Sequence, residues 1–140
     1  MKIRFDGRAA AAQFFSDLRE RLRSHPDVQF IIDGDTVTVL RLAPNGPDVT
    51  AWISEAGYVL SIGGWQDEMP SSDATVTLMA MVVEGRARVK VDLVRKRPWR
   101  YTLQLRSADS VWFDKNVLRV PWLFLGRRSM STYYQQNPER

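Results

Sequence analysis

The chain holds a single histidine and no cysteine, so any chemistry must come mainly from carboxylates, hydroxyls and cations. Asp67 and Glu68 follow Gly63, Gly64 and Trp65 in "GGWQDEM". A glycine pair lets backbone approach a ligand closely, and adjacent acids can hold a cation or move protons. The same residues also describe a strand-end loop with solvated acids. Trp65, Asp67 and Glu68 therefore stand as one possible loop site. His25 precedes Pro26 at the end of a predicted helix. No nucleophile lies near it in sequence, so it reads as a group suited to a helix C-terminus rather than as a general base. Asp33 and Asp35 flank Gly34, but the other ligands of a calcium loop are missing and the triplet reads as a hairpin turn. Ser129 and Ser131 beside Arg127 and Arg128 offer hydroxyls and guanidinium forks to a phosphate, or make a solvated strand face. There is no Gly-rich phosphate loop, nucleophile elbow or zinc-protease motif. The expectation is no catalytic residue, no metal and no cofactor.

A stronger signal is cationic. "RKRPWRYTLQLRS", residues 95–107, sets Arg95, Lys96, Arg97, Arg100 and Arg106 around Trp99 and Tyr101. Such a mixture could stack nucleobases, or it could be one strand with an apolar side turned to a core. Alternation favours the strand. Ala87, Val89, Val91 and Leu93 alternate with Arg86, Arg88, Lys90 and Asp92; Trp99, Tyr101, Leu103 and Leu105 alternate with Arg100, Thr102, Gln104 and Arg106. Successive strand side chains point to opposite faces. The two runs make a hairpin with Trp99 and Tyr101 in the core and Arg86, Arg88, Lys90, Arg100 and Arg106 on the outward face. Shared parity predicts Asp92 opposite Arg100 and Leu93 opposite Trp99, with Val94–Pro98 as a five-residue loop. The neighbouring register sets Leu93 opposite Tyr101. In either, Trp99 is buried, and Arg100 is a surface residue whose loss costs about 0.5 kcal/mol or less.

The charge is asymmetric. Residues 1–85 hold seven Lys/Arg against twelve Asp/Glu, a net of −5, and residues 86–140 hold thirteen against four, a net of +9. That balance fits an acidic partner, nucleic acid, or halves that neutralise each other within one fold or across a homodimer. With 140 residues, 44% of them hydrophobic, the chain suits one domain that needs neither metal nor disulfide to fold. The absence of cysteine suits a reducing cytosol. "MKIRFDGRAAAAQFF" lacks the apolar run of a signal peptide, and no apolar stretch reaches the ~18 residues of a membrane span.

The elements follow from periodicity. Ala11, Phe14, Phe15, Leu18 and Leu22 make a helical stripe over 7–24, with Asp6 as its cap and Pro26 as its stop. "VQFII", "TVTVLRL", "VTAWIS" and "YVLSIGGW" predict a four-strand meander. Residues 72–84 fit helix and strand alike, and the Ser71/Ser72/Asp73 cluster with Gly85 favours a helix. "SVWFDKN", "VLRVPWLFL" and "GRRSMSTYYQQ" predict further strands, with Pro121 marking an edge or bulge. The tail "QQNPER" is expected to fray. The fold expected is α+β: an antiparallel sheet of about six to eight strands with an N-terminal and a central helix packed on it through Phe14, Phe15, Leu18, Met79 and Val83.

"GGWQDEM" and the ending "RPWRYTLQ … VWFDKNVLRVPWLFLGRRSMSTYYQQN" resemble a group of small bacterial proteins of uncharacterised function. These carry a Gly-Trp-His/Gln-acidic-Glu-aromatic signature and a C-terminal Tyr-x-Gln-Asn. Here Gln66 stands where that group often has histidine, and Met69 where it often has an aromatic. The resemblance implies a bacterial origin and no particular activity. The function expected is non-catalytic binding of an acidic protein partner in the cytosol, a toxin-neutralising immunity protein being one form. The alternatives are nucleic-acid binding through the 86–106 hairpin, and a small-ligand or enzymatic pocket between helix and sheet.

Overall fold

A computed structural model describes residues 7–119 and 130–140. Asp6, Pro121, Arg127, Arg128 and Ser129 lie outside the described residues. The class is α+β, with the N-terminal and central helices in place. The nine strands among the described residues form two antiparallel sheets rather than one.

Helix α1 (Gly7–Arg21) buries Ala11, Phe14 and Leu18, one stripe at three- and four-residue spacing, and Phe15 packs at its margin. It ends before the expected Ser24. Residues 22–24 form a turn, in which the His25 amide donates to the Leu22 carbonyl at 2.8 Å. The first sheet is the meander β1 (Phe30–Asp33), β2 (Thr36–Val39), β3 (Val49–Ser54), β4 (Gly57–Ile62) and β5 (Trp65–Met69), paired in chain order. Its inner face carries Val37, Val39, Val49, Ala51, Ile53, Leu60 and Ile62 against the helices. β5 corrects the loop read at "WQDEM". Gly63 and Gly64 close a two-residue turn, and the strand returns along β4 with Trp65 opposite Ile62. The two acids hid an alternation that only Trp65 and Met69 reveal.

Helix α2 (Ser72–Val83) resolves the ambiguous segment. The Ser71 hydroxyl caps it by accepting from the Ala74 amide at 3.1 Å, which satisfies one of the four amides a helix start leaves open. Its far end needs Gly85, whose φ is +75°. A side chain there would be strained and would also press on the backbone of Asn137 and Pro138.

The second sheet has the order β8-β7-β6-β9, from β6 (Ala87–Val94), β7 (Arg97–Arg106), β8 (Trp112–Arg119) and β9 (Met130–Gln135). Ala87, Val89, Val91 and Leu103 join the same core cluster as the helices and the first sheet. The sheets meet where the first is barest. The Gln135 side chain lies on Gly63 and the Tyr101 ring lies on Gly64, so closely that a Cβ at either glycine would collide. Beside them Asn116 donates its side-chain amide to Asp67.

The C-terminal segment is pinned, contrary to the expected fraying. The Gln136 amide donates to Asn45, and the buried Asn137 side chain donates to the Val82 carbonyl, both at 2.9 Å. Glu139 pairs with Arg106, and Arg140 pairs with Asp27 at 2.7 Å. The hydrogen bond from Arg140 holds the Asp27 carboxyl below its ordinary pKa, outweighing the opposing desolvation, and raises Arg140 above its own.

Gly64→Ala should destabilise the protein by about 1–3 kcal/mol through overpacking against Tyr101. Urea melts in a double-mutant cycle check the cause. With Tyr101→Ala in the background, the cost of Gly64→Ala should fall by at least half.

Candidate functional site

The basic hairpin forms as expected over most of its length, with Asp92 opposite Arg100 and Val89 opposite Leu103. Its tip differs. Leu93 faces Pro98 and Val94 faces Arg97, so the loop shrinks from five residues to the pair Arg95-Lys96. Trp99 is the extra residue of a bulge, which resets the parity that would have placed it beside Tyr101. Trp99 is accordingly only partly buried. Its ring carries the Arg100 guanidinium, 4.6 Å from the ring centre. A second bulge lies between Leu103 and Gln104 on the β7–β8 ladder. It lets Asp114 reach Gln104 on the outward face while Asn116 turns inward to Asp67.

The turn itself is unusual. Arg95 and Lys96 have φ of 52° and 64°, the left-handed region where a two-residue hairpin turn ordinarily has Asn-Gly. Arg95, Lys96 and Arg97 are all exposed. One strand over, Arg119 lies directly opposite Arg100.

Of the five cations expected on the outward face, Arg86, Arg88, Lys90, Arg100 and Arg106, three are engaged within the molecule. Arg88 lies between two rings, 4.0 Å from the centre of Trp112 and 4.1 Å from that of Tyr134, and donates to the Gln104 side chain at 2.8 Å. Burial pulls the Arg88 pKa down from its ordinary value, with Tyr134 acting the other way. Arg100 donates to Asp92 at 2.8 Å, and Arg106 pairs with Glu139. Lys90 is half-buried and Arg86 is exposed. The face is therefore no open sheet of solvated charge, and Thr102 and Gln104 within it are buried.

Asp92 organises this face. It is 5% exposed and accepts from Arg100 at 2.8 Å and from the Thr132 hydroxyl at 2.7 Å, tying β7, β6 and β9 together. Burial pushes its carboxyl up, but the hydrogen bonds from Arg100 and Thr132, helped by the charges of Arg100 and Lys90, hold it below the ordinary value. Nothing in the local sequence marks Thr132 as its partner, forty residues away.

The loop site does not assemble. Trp65 is a core residue, 2% exposed, whose indole N–H finds no hydrogen-bond acceptor among the described residues. Asp67 and Glu68 occupy successive positions of β5 and so point to opposite faces. Both Asp67 oxygens are taken, by the Glu68 amide at 2.8 Å and by Asn116. His25 stands 3.7 Å from Glu84, which also meets Arg21 at 3.4 Å, so it bridges the ends of the two helices. Gly34, with φ of 60°, turns β1 into β2 as read from Asp33 and Asp35. Ser131 lies exposed on β9. On the inner face Tyr101 is raised above its ordinary pKa by burial and by neighbouring Tyr133. Among the described residues no cluster of carboxylates or imidazoles is placed to hold a metal, and no helix is long and apolar enough to cross a membrane. No protein-family model, curated protein or solved structure matches the chain.

Arg100 is thus not the neutral surface position that alternation implied. Removing it strands a buried carboxylate, which costs about 3–5 kcal/mol for fully buried pairs. Arg100 keeps 31% of its side chain in solvent, so Arg100→Ala should cost about 2 kcal/mol at pH 7 in urea melts. Because the folded Asp92 pKa is depressed, this stabilisation is present above the unfolded value near 3.9 and is lost as pH falls through the folded value. The gap between wild type and variant should therefore narrow as pH falls below about 4.

Proposed function

We propose that this chain is a non-catalytic binding protein whose basic hairpin tip docks an acidic surface of a protein partner. The observation that carries the proposal is the turn. Two long cationic side chains occupy positive-φ positions where Asn-Gly would sit without strain, and each such position costs of the order of 1 kcal/mol or more. The turn presents Arg95, Lys96 and Arg97 together at an exposed apex. Arginine forks suit carboxylates. The exposed Arg119, opposite Arg100 on the neighbouring strand, adds positive potential to the same end of the sheet.

A protein partner is preferred to single-stranded nucleic acid because base stacking needs open aromatic faces. The Trp112 and Tyr134 rings, on the strands β8 and β9 that flank the hairpin, already hold Arg88, and Trp99 holds Arg100. A bacterial cytosol and an immunity-type role remain the concrete setting proposed for such a module.

The test separates turn strain from binding. Arg95→Asn with Lys96→Gly keeps a two-residue turn, relieves the left-handed strain and removes two charges. It should raise stability by about 1 kcal/mol in urea melts. It should also weaken binding of a fluorescent glutamate-rich peptide at least tenfold in low-salt anisotropy, in a salt-sensitive manner. Tighter binding of random-sequence RNA than of the acidic peptide would instead favour the nucleic-acid class. A variant that binds the peptide as wild type does would remove the tip from the proposal.

A further inference from the structure

The first sheet has two edges of different character. β5 is covered, since it packs against β7 and β8 and Asp67 is tied to Asn116. Among the described residues β1 pairs with β2 alone. Along its open side run two hollows that meet at Phe15. One, of about 890 Å³, is bordered by Leu22 and Phe30; the other, of about 480 Å³, by Ala12 and Ile32. Ile31 and Ile32 are 51% and 46% exposed. An apolar strand edge without proline or lysine is a template for another strand.

Register shows which backbone groups are on offer. The Leu40 amide donates to the Gln29 carbonyl at 2.9 Å, so residues 29 and 40 form a hydrogen-bonded pair across the ladder. Such pairs alternate in antiparallel sheets. Ile31 and Asp33 therefore bond to β2, while the N–H and C=O of Phe30 and Ile32 point to the open edge.

We propose that a second copy of this chain pairs with the first along β1, antiparallel and about a twofold axis at Ile31. In this register Phe30 faces the partner's Ile32 and Ile32 faces the partner's Phe30, so all four outward backbone groups of each strand are satisfied. Ile31 meets the partner's Ile31 on the open face of the sheet. Asp33 falls opposite the partner's Gln29 and avoids a facing acid. The charges bordering the edge, Arg8, Arg19 and Arg23 against Asp17, Glu20 and Asp33, balance three to three. Two such edges meet without net repulsion, whereas a strongly acidic or basic partner gains nothing there. The result is a continuous ten-stranded sheet with the basic hairpins at its far ends. This assembly does not depend on what the hairpin binds.

The geometry gives a direct test. Residues facing each other in a non-hydrogen-bonded pair have Cα atoms about 4.5 Å apart, within disulfide reach. The chain has no cysteine of its own. Under mild oxidation the Ile31→Cys variant should form a covalent dimer at least about tenfold faster than Glu55→Cys, a variant in the β3–β4 turn. Sedimentation from about 1 to about 300 µM should show wild type dimerising and Ile31→Lys shifted at least tenfold toward monomer, because that variant sets two charges on the axis. Circular dichroism should show both variants folded, since Ile31 is exposed. A wild type monomeric throughout, with Ile31→Cys crosslinking no faster than Glu55→Cys, would overturn the proposal. So would a dimer that Ile31→Lys leaves intact.

Discussion

Two sheets can share one core only where the backbone of one is bare enough for side chains of the other to settle on it. Here that place is the Gly63-Gly64 turn, on which Gln135 and Tyr101 rest. Much else follows from this close approach. It sets the separation of the sheets, brings β5 against β7 and β8 so that Asp67 meets Asn116, and closes the core over Trp65. Interiors packed at crystal-like density transmit a shift of one methyl group widely. The glycine pair is best understood as the contact surface of an interlock between sheets, although in sequence it resembles a ligand loop.

The second organising feature is the internal use of charge. A net of +9 over residues 86–140 suggested a broad cationic face. Much of it is absorbed within the fold: Arg88 between two aromatic rings, Arg100 on Asp92, Arg106 on Glu139 and Arg140 on Asp27. Arginine's planar, weakly hydrated head suits this stacked and half-buried role better than lysine's compact charge. Among the described residues, Arg86, Arg95, Lys96, Arg97, Lys115 and Arg119 are exposed, and three of these six are consecutive at the hairpin tip.

The parts legible in sequence were those governed by local periodicity. The stripe of α1, the Ser71 cap of α2 and the alternation through β6 and β7 each rest on residues a few positions apart. The pairing of Asp92 with Arg100 is one of two registers that parity allowed, and it is the one that forms. Three things were not legible, each for a physical reason. The bulge at Trp99 is chosen by the short turn, and one extra residue inverts every facing beyond it. Strand β5 has only two apolar residues in five, because its acidic positions face solvent or a single amide from β8. The division into two sheets depends on the glycine contact with Tyr101 and Gln135, residues at least 37 positions away in the chain.

The pinned C-terminal segment bears on how the molecule comes to exist in time. Asn137 closes on a carbonyl 55 residues earlier, and Arg140 closes on an acid 113 residues earlier. Loops of that span form late, since their closure entropy must be met before their contacts contribute. During synthesis the meander and both helices emerge well before β9 and the segment after it. Until those arrive, β6 has an open edge, the end of α2 lacks its cover, and the interior of the second sheet is a partly wetted surface. The chain therefore passes through an interval in which its most apolar strands are complete but unsealed, the period when transient association is most favoured. Completion of residues 135–140 ends that interval by turning an assembly of local elements into one cooperative unit.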